Sequence, residues 1–135
     1  MERMSSLKSV ALGVWATVGS RHEGKDEGGL SHFIEHMKFK GTPKRTAFQI
    51  SNDIDALGGE MNAFTTHEAT AFYVKVLDQQ MGSAFDLLAD LFHHSRFSAK
   101  DIAKEKQIVM EEIRTVQDDP EDYIHELHAK DIFGS

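Results

Sequence analysis

Cysteine is absent from the chain. Disulfides and thiolate metal sites are therefore excluded, and any transition metal has to be held by histidine and carboxylate. The same absence suits a reducing compartment. Proline occurs only twice, and no low-complexity stretch or proline-rich linker interrupts the sequence. No apolar run approaches the ~20 residues that a membrane-spanning helix needs, and the stretch 1–8 lacks the apolar segment of a secretory signal. Positive charge is in the minority, with 15 Lys and Arg against 22 Asp and Glu and a net charge of -7. That balance argues against a nucleic-acid partner and is compatible with basic peptides. What remains is ordinary globular composition, 40% hydrophobic over 135 residues, enough to bury a core as one domain or as part of a larger one.

The hydrophobic pattern divides this length into short elements. Val10, Leu12, Val14, Ala16 and Val18 alternate with Ala11, Gly13, Trp15 and Thr17 and predict a long strand. A polar, glycine-rich loop over 19–29 follows. A helix is expected from Leu30 to Phe39, stopped by Gly41 with Pro43 beyond it. A second runs from Thr46 to Leu57, closed by Gly58 and Gly59. Glu60 to Thr65 and Thr70 to Leu77 read as two strands joined by a polar connection. Gln79 to His93 is an amphipathic helix with Met81, Phe85, Leu88 and Phe92 along one face. Ser98 caps a long helix through Val116, and Asp119-Pro120 opens a last one. The order β-α-α-β-β-α-α-α predicts an α+β domain, with helices packed on an antiparallel sheet.

The expected helix at 30–39 contains His32-Phe33-Ile34-Glu35-His36. At ~100° per residue, with Leu30 at zero, His32 falls near ~200°, Glu35 near ~140° and His36 near ~240°. Leu30, Phe33, Ile34 and Met37 occupy the opposite arc and predict a core-facing stripe. Two imidazoles and a carboxylate on one arc are two metal ligands and a base, and H-x-x-E-H is a zinc-protease signature. Catalytic zinc takes three protein ligands and keeps one position for water, so a third ligand is needed. The long helix offers candidates. With Ile102 at zero, Val109, Ile113 and Val116 lie within ~40° and define a buried stripe. Glu105 near ~-60° and Glu112 near ~-80° border that stripe, whereas Glu111 near ~180° faces water. A buried carboxylate is costly unless paired or bound to a cation, so Glu112 or Glu105 completes the site and Glu111 does not. His125-Glu126-Leu127-His128 has a spacing of three, and Ala129 stands where H-E-x-x-H needs its second histidine. It reads as a helix face. His93 and His94 close a helix, and His22 and His67 fall in loops.

These residues resemble the pitrilysin-like inverted zinc peptidases. Within that family the likeness is nearest to bacterial relatives of the mitochondrial processing peptidase catalytic subunit. It runs through Val14-Trp15, Gly19-Ser20-Arg21, Ser31-His32-Phe33-Ile34-Glu35-His36-Met37, Phe39-Lys40-Gly41-Thr42, Gly59, Asn62-Ala63-Phe64-Thr65 and Phe72-Tyr73. It ends in Glu105-Lys106-Gln107-Ile108-Val109 and Glu112-Ile113. The resemblance implies a zinc metalloendopeptidase with one Zn2+ per site, held by His32, His36 and Glu112. Glu35 would be the general base, and Glu105 the carboxylate that orients a ligand. Asn62, Ala63, Phe64 and Thr65 would form the edge strand on which an extended or leader-like peptide adds.

The resemblance also sets expectations about extent. Family members have two related halves, each longer than this chain, that close around the substrate. Residues 1–135 are thus expected to be a single partial domain, the N-terminal zinc-binding part of the catalytic half. The substrate-gripping Arg and Tyr would lie elsewhere. Partners follow: a peptide substrate, no nucleic acid, no membrane span, and a homodimer or pairing with a second related half. The compartment implied is the bacterial cytoplasm, with the mitochondrial matrix as the alternative. An inactive zinc-binding fragment or a non-catalytic scaffold subunit of the same fold is the competing reading. Lys38 departs from the small or apolar residue usual there, and its ~80° position borders the core stripe.

Overall fold

The computed structural model describes residues 7–118 together with Ile124 and His128. Strand β1 spans Ser9–Ala16, helix α1 Leu30–Lys38, α2 Ala47–Ala56, β2 Glu60–Thr65, β3 Thr70–Leu77, α3 Met81–His94 and α4 Ala99–Asp118. Single 3-10 turns occur at Ser20–His22 and Asp78–Gln80. This is the expected α+β order, each element within a few residues of its expected bounds. The last expected helix lies outside the described residues except for Ile124 and His128, which are helical. The chain divides into two compact units, Met1–Ser98 and Ala99–Ser135. No helix among the described residues is long and apolar enough to cross a membrane.

In the first unit the sheet order is β1-β3-β2, antiparallel throughout. β3 is central, and its face with Phe72, Val74 and Val76 is buried throughout, while Lys75 and Leu77 on the other face are exposed. Phe72, Val74 and Val76 point one way and meet Ala84 and Leu88 of α3. Val10, Leu12 and Val14 of β1, Met61 and Ala63 of β2, and Phe39, Leu57 and Phe92 surround them. Full burial of a Val, Leu, Phe or Met side chain here is worth about 1.5–3 kcal/mol. On the other face Ala71 is fully buried between Trp15 and Phe64, its register partners on the two neighbouring strands. The Trp15 ring lies along the strand over Gly13, where any side chain would collide with it.

One expectation is corrected. The face of α3 that is buried carries Ala84, Leu87, Leu88 and Leu91, whereas Met81 and Phe85 are exposed, Phe85 by 63%. Both rows have helical spacing. The row with small Ala84 lets α3 approach β3 closely, and that row wins. The turn chemistry is as read: Thr46 and Gln49 form a reciprocal capping box at the start of α2, and Gly58 closes it at φ 61°.

Unit one also holds an ion network, anchored on the buried Asp90, that periodicity does not reveal. Arg45 donates to Asp53 at 3.0 Å, Asp86 at 2.9 Å and Asp90 at 2.6 Å, and the Thr42 hydroxyl donates to Asp90 at 2.8 Å. The Asp90 side chain is 2% exposed. Burial raises its pKa, but hydrogen bonds from Thr42 and Arg45 and the charges of Arg45 and Lys44 outweigh this and hold it below 3.8. A depressed carboxylate stabilises the fold above its unfolded pKa and loses that contribution as pH falls through the folded value. Arg45→Met strands the Asp90 charge and should cost about 3–5 kcal/mol at pH 7. Urea unfolding of variant and parent across pH checks this: the gap should be full at neutral pH and narrow below about pH 4.

Candidate metal centre

Helix α1 begins where it does because a distant carboxylate caps it. Its N-cap, Gly29, is left-handed at φ 86° and supplies no side chain. Glu23 takes that role, accepting from the N–H of Gly29 at 2.7 Å and of Ser31 at 2.7 Å. Negative charge is favoured at a helix N-terminus. Burial raises the Glu23 pKa, and the bonds from Ser31 and Gly29 overcome this to leave it lowered. At the other end Phe39 and Lys40 bond back to His36 and Met37.

On this helix His32 and His36 turn the same way. Their Nε2 atoms stand 3.0 Å apart and their rings are nearly perpendicular, at 83°. Two nitrogens bound to one tetrahedral zinc at 2.0–2.1 Å would be about 3.3 Å apart. The pair therefore fits a single ion with a small opening of the rings. Glu35 shares their arc and reaches toward β2, where the Thr65 hydroxyl donates to its Oε2 at 2.5 Å. All three are half-buried.

The expected core stripe of α1 needs correction. Met37 is fully buried, but Leu30 and Ile34 are 43% and 37% exposed, and Ser31 is buried instead. Glu23 grips the helix at Gly29 and Ser31, which turns the Ser31 side inward and the Leu30–Ile34 edge outward. Lys38 accounts for its odd position by reaching the end of α3. Its Nζ donates to the Phe92 carbonyl at 2.8 Å and sits 5.2 Å from the Phe92 ring and 5.9 Å from Phe97. Burial lowers its pKa, and the contact complements the carbonyl end of α3.

Asn62, Ala63, Phe64 and Thr65 all lie on β2, which has β3 on one side and no strand on the other among the described residues. Of the remaining histidines, His67 Nδ1 contacts the Ser20 hydroxyl at 2.8 Å and His94 lies 3.3 Å from Asp90. His125 lies outside the described residues.

In the second unit, α4 carries Glu105, Glu111 and Glu112. Glu105 is 2% exposed and Val109 is buried with it, while Glu112 is half-buried. Glu111 is exposed and pairs with Arg114. The buried arc is rotated by about 50° from the expected one, so Ile113 is exposed and Glu105 sits within the arc instead of at its rim. The inward side of this helix is thus more acidic than an apolar stripe.

The paired histidines thus lie on a helix beside an antiparallel sheet, and comparison with known proteins gives the family. The insulinase family (peptidase family M16) matches residues 1–134. The chain belongs to that family. It is 46% identical over 135 residues to the uncharacterized zinc protease YmxG of Bacillus subtilis, covering 100% of this chain and 33% of that protein. It is 44% identical over 133 residues to an uncharacterized zinc protease of Streptomyces coelicolor, 98% of this chain and 29% of the other. The crystal structure of a protease from Helicobacter pylori superposes with a TM-score of 0.80 at 27% identity, over 83% of this chain and 27% of that one. The chain spans about a third of the length of the curated relatives it matches.

The capping carboxylate yields a direct test. Glu23→Gln keeps the shape and removes the charge that faces the first turn of α1. The loss expected is about 1 kcal/mol at pH 7. Because the Glu23 pKa is lowered on folding, its contribution is present above 4.5 and disappears as pH falls through the folded value. Thermal unfolding of the two proteins should accordingly differ at neutral pH and converge under acid.

Proposed function

We propose that residues 1–135 carry the zinc-binding part of a metalloendopeptidase that hydrolyses extended peptides. The observation that carries the reading is the convergence of the His32 and His36 Nε2 atoms at 3.0 Å with Glu35 on the same arc. His32 and His36 would hold Zn2+ with Glu112 as the third ligand, and Glu105 would orient a ligand from behind. Helix phase supports this assignment, since Glu105 and Glu112 share the inward side of α4 and Glu111 does not. A buried carboxylate calls for a compensating partner. The charge of a dication answers a carboxylate set of this kind without any cysteine.

When bound, zinc supplies a Lewis acid that acidifies water and polarises a carbonyl. Glu35 accepts the proton of the attacking water and returns it to the leaving amine, acting in turn as base and acid. The substrate adds to the open edge of β2 along Asn62, Ala63, Phe64 and Thr65. Backbone pairing there gives affinity with little dependence on sequence, which suits leader-like segments and the acidic balance of the chain. Zero cysteines and bacterial relatives lead us to assign the work to the bacterial cytoplasm. The chain would form the zinc-binding part of the catalytic half of a longer peptidase.

Glu35→Gln should retain zinc and lose about 10²–10⁴-fold in kcat. His32→Ala and His36→Ala should each lose zinc itself, read by metal analysis after dialysis. Chelation of the parent should abolish cleavage, and stoichiometric zinc should restore it. Full turnover in Glu35→Gln would remove Glu35 as the base.

A further inference from the structure

We infer that Thr65 is the positioning residue for Glu35: its hydroxyl clamps Oε2 and leaves Oε1 as the oxygen that takes the proton. The inference deepens the proposed function and rests on Glu35 being the base. Strand β2 alternates outward and inward, with Met61, Ala63 and Thr65 on the inward side. The first two join the core around β3. A hydroxyl at the third inward position costs free energy unless it finds a partner, and the partner is Glu35 at 2.5 Å. Hydroxyl-to-carboxylate bonds of 2.5–2.7 Å are the charge-assisted kind, about twice as strong as neutral ones.

Proton inventory decides the direction. Each threonine hydroxyl has one hydrogen to give. The register partner of Thr65 is Thr70, whose hydroxyl donates to the Val18 carbonyl at 2.9 Å, an acceptor only. Thr70 therefore has no proton left for Thr65, and the two hydroxyl oxygens are 3.4 Å apart. The Thr65 proton goes to the shorter contact, the carboxylate.

The clamp is stiff because its base is stiff. The turn after Thr65 is closed by Thr66 N–H to the Ala69 carbonyl at 2.8 Å, and the Thr66 hydroxyl accepts from Ala69 N–H at 3.0 Å. The backbone N–H groups of Ser20 and Arg21 donate to the carbonyls of Thr66 and His67 at 3.2 and 2.9 Å. Gly19 sits so close to this turn that any side chain would strike the Thr66 carbonyl. The expected substrate strand thus holds the base through a side chain while offering its backbone edge to the peptide. Thr65 then acts on the chemical step and not on binding.

The test uses the whole gene product containing these residues, loaded with zinc, in four forms: parent, Thr65→Val, Thr65→Ser and Glu35→Gln. Thr65→Val should lose about 10–100-fold in kcat, with KM and bound zinc unchanged, and Thr65→Ser should restore most of the rate. The carboxylate stretch of Glu35, isolated as an infrared difference against Glu35→Gln, should shift in Thr65→Val and return in Thr65→Ser. Thr65→Ala removes the hydroxyl without adding a methyl and carries the same expectation should valine not fold. Parent-like kcat in the folded hydroxyl-free variant beside an inactive Glu35→Gln overturns the clamp alone. Equal loss in the serine and valine forms overturns it too, since the hydroxyl would then not matter. Activity in Glu35→Gln overturns the underlying assignment of the base.

Discussion

The pairing of β3 with strands on both sides is the constraint from which the rest of the first unit follows. It commits Phe72, Val74 and Val76 to one face, so α3 has to cover them and chooses the stripe with Ala84 to do so. It also commits β2 to an outer position among the described strands, with Thr65 directly across from Thr70. Helix α1 is then fixed from two directions. Glu23 holds its first turn, and the Thr65 contact to Glu35 ties its middle to the sheet. Lys38 adds a third tie to the end of α3. The histidines converge on a helix whose rotation is determined by polar contacts more than by an apolar stripe.

That is why much of the element order, but less of the helix rotation, was readable in the amino-acid sequence. Strand periodicity depends on alternation within a few residues, and β2 and β3 fall where Glu60–Thr65 and Thr70–Leu77 predicted. The glycine and threonine signals around α1 and α2 are equally local. Helix phase is not local. Leu30 and Ile34 have the spacing of a core stripe yet lie outward, because Glu23, seven residues before Leu30, anchors Ser31. Met81 and Phe85 fail for a similar reason: two apolar rows compete on α3, and only the shape of β3 decides between them. On α4 the same uncertainty displaces the buried arc toward Glu105 and leaves Ile113 outside.

Within the site, the signal in His32, Glu35 and His36 is strong because helix geometry alone brings the two imidazoles together. The Nε2 separation agrees with that geometry. The separation of Glu105 and Glu112 from Glu111 is also a matter of phase, and the burial of the three along α4 follows it. The Thr65 contact leaves little mark on the sequence. Its one trace is a hydroxyl in an inward place of a strand whose neighbours there are Met61 and Ala63, and that trace names no partner. Arg45 leaves even less trace, since its three carboxylates come from two different helices.

Several buried or half-buried carboxylates are managed here by different means, and the differences bear on function. Asp90 is charged and held by Arg45 and Thr42, a purely structural solution whose strength comes from multiple donors. Glu23 is satisfied by backbone N–H groups and spends its charge on a helix end. Among the described residues Glu35 receives one short hydrogen bond, from the Thr65 hydroxyl, which carries no formal charge. A guanidinium in that place would instead pair a formal charge with the carboxylate, as Arg45 does with Asp90. A neutral hydroxyl fixes the direction of one oxygen without adding a countercharge, which suits the role of base proposed for Glu35. The Thr65 contact and the Arg45 network thus meet the same acceptor chemistry with different donors, one neutral and one charged, and under the proposed function that choice separates the base from a structural carboxylate.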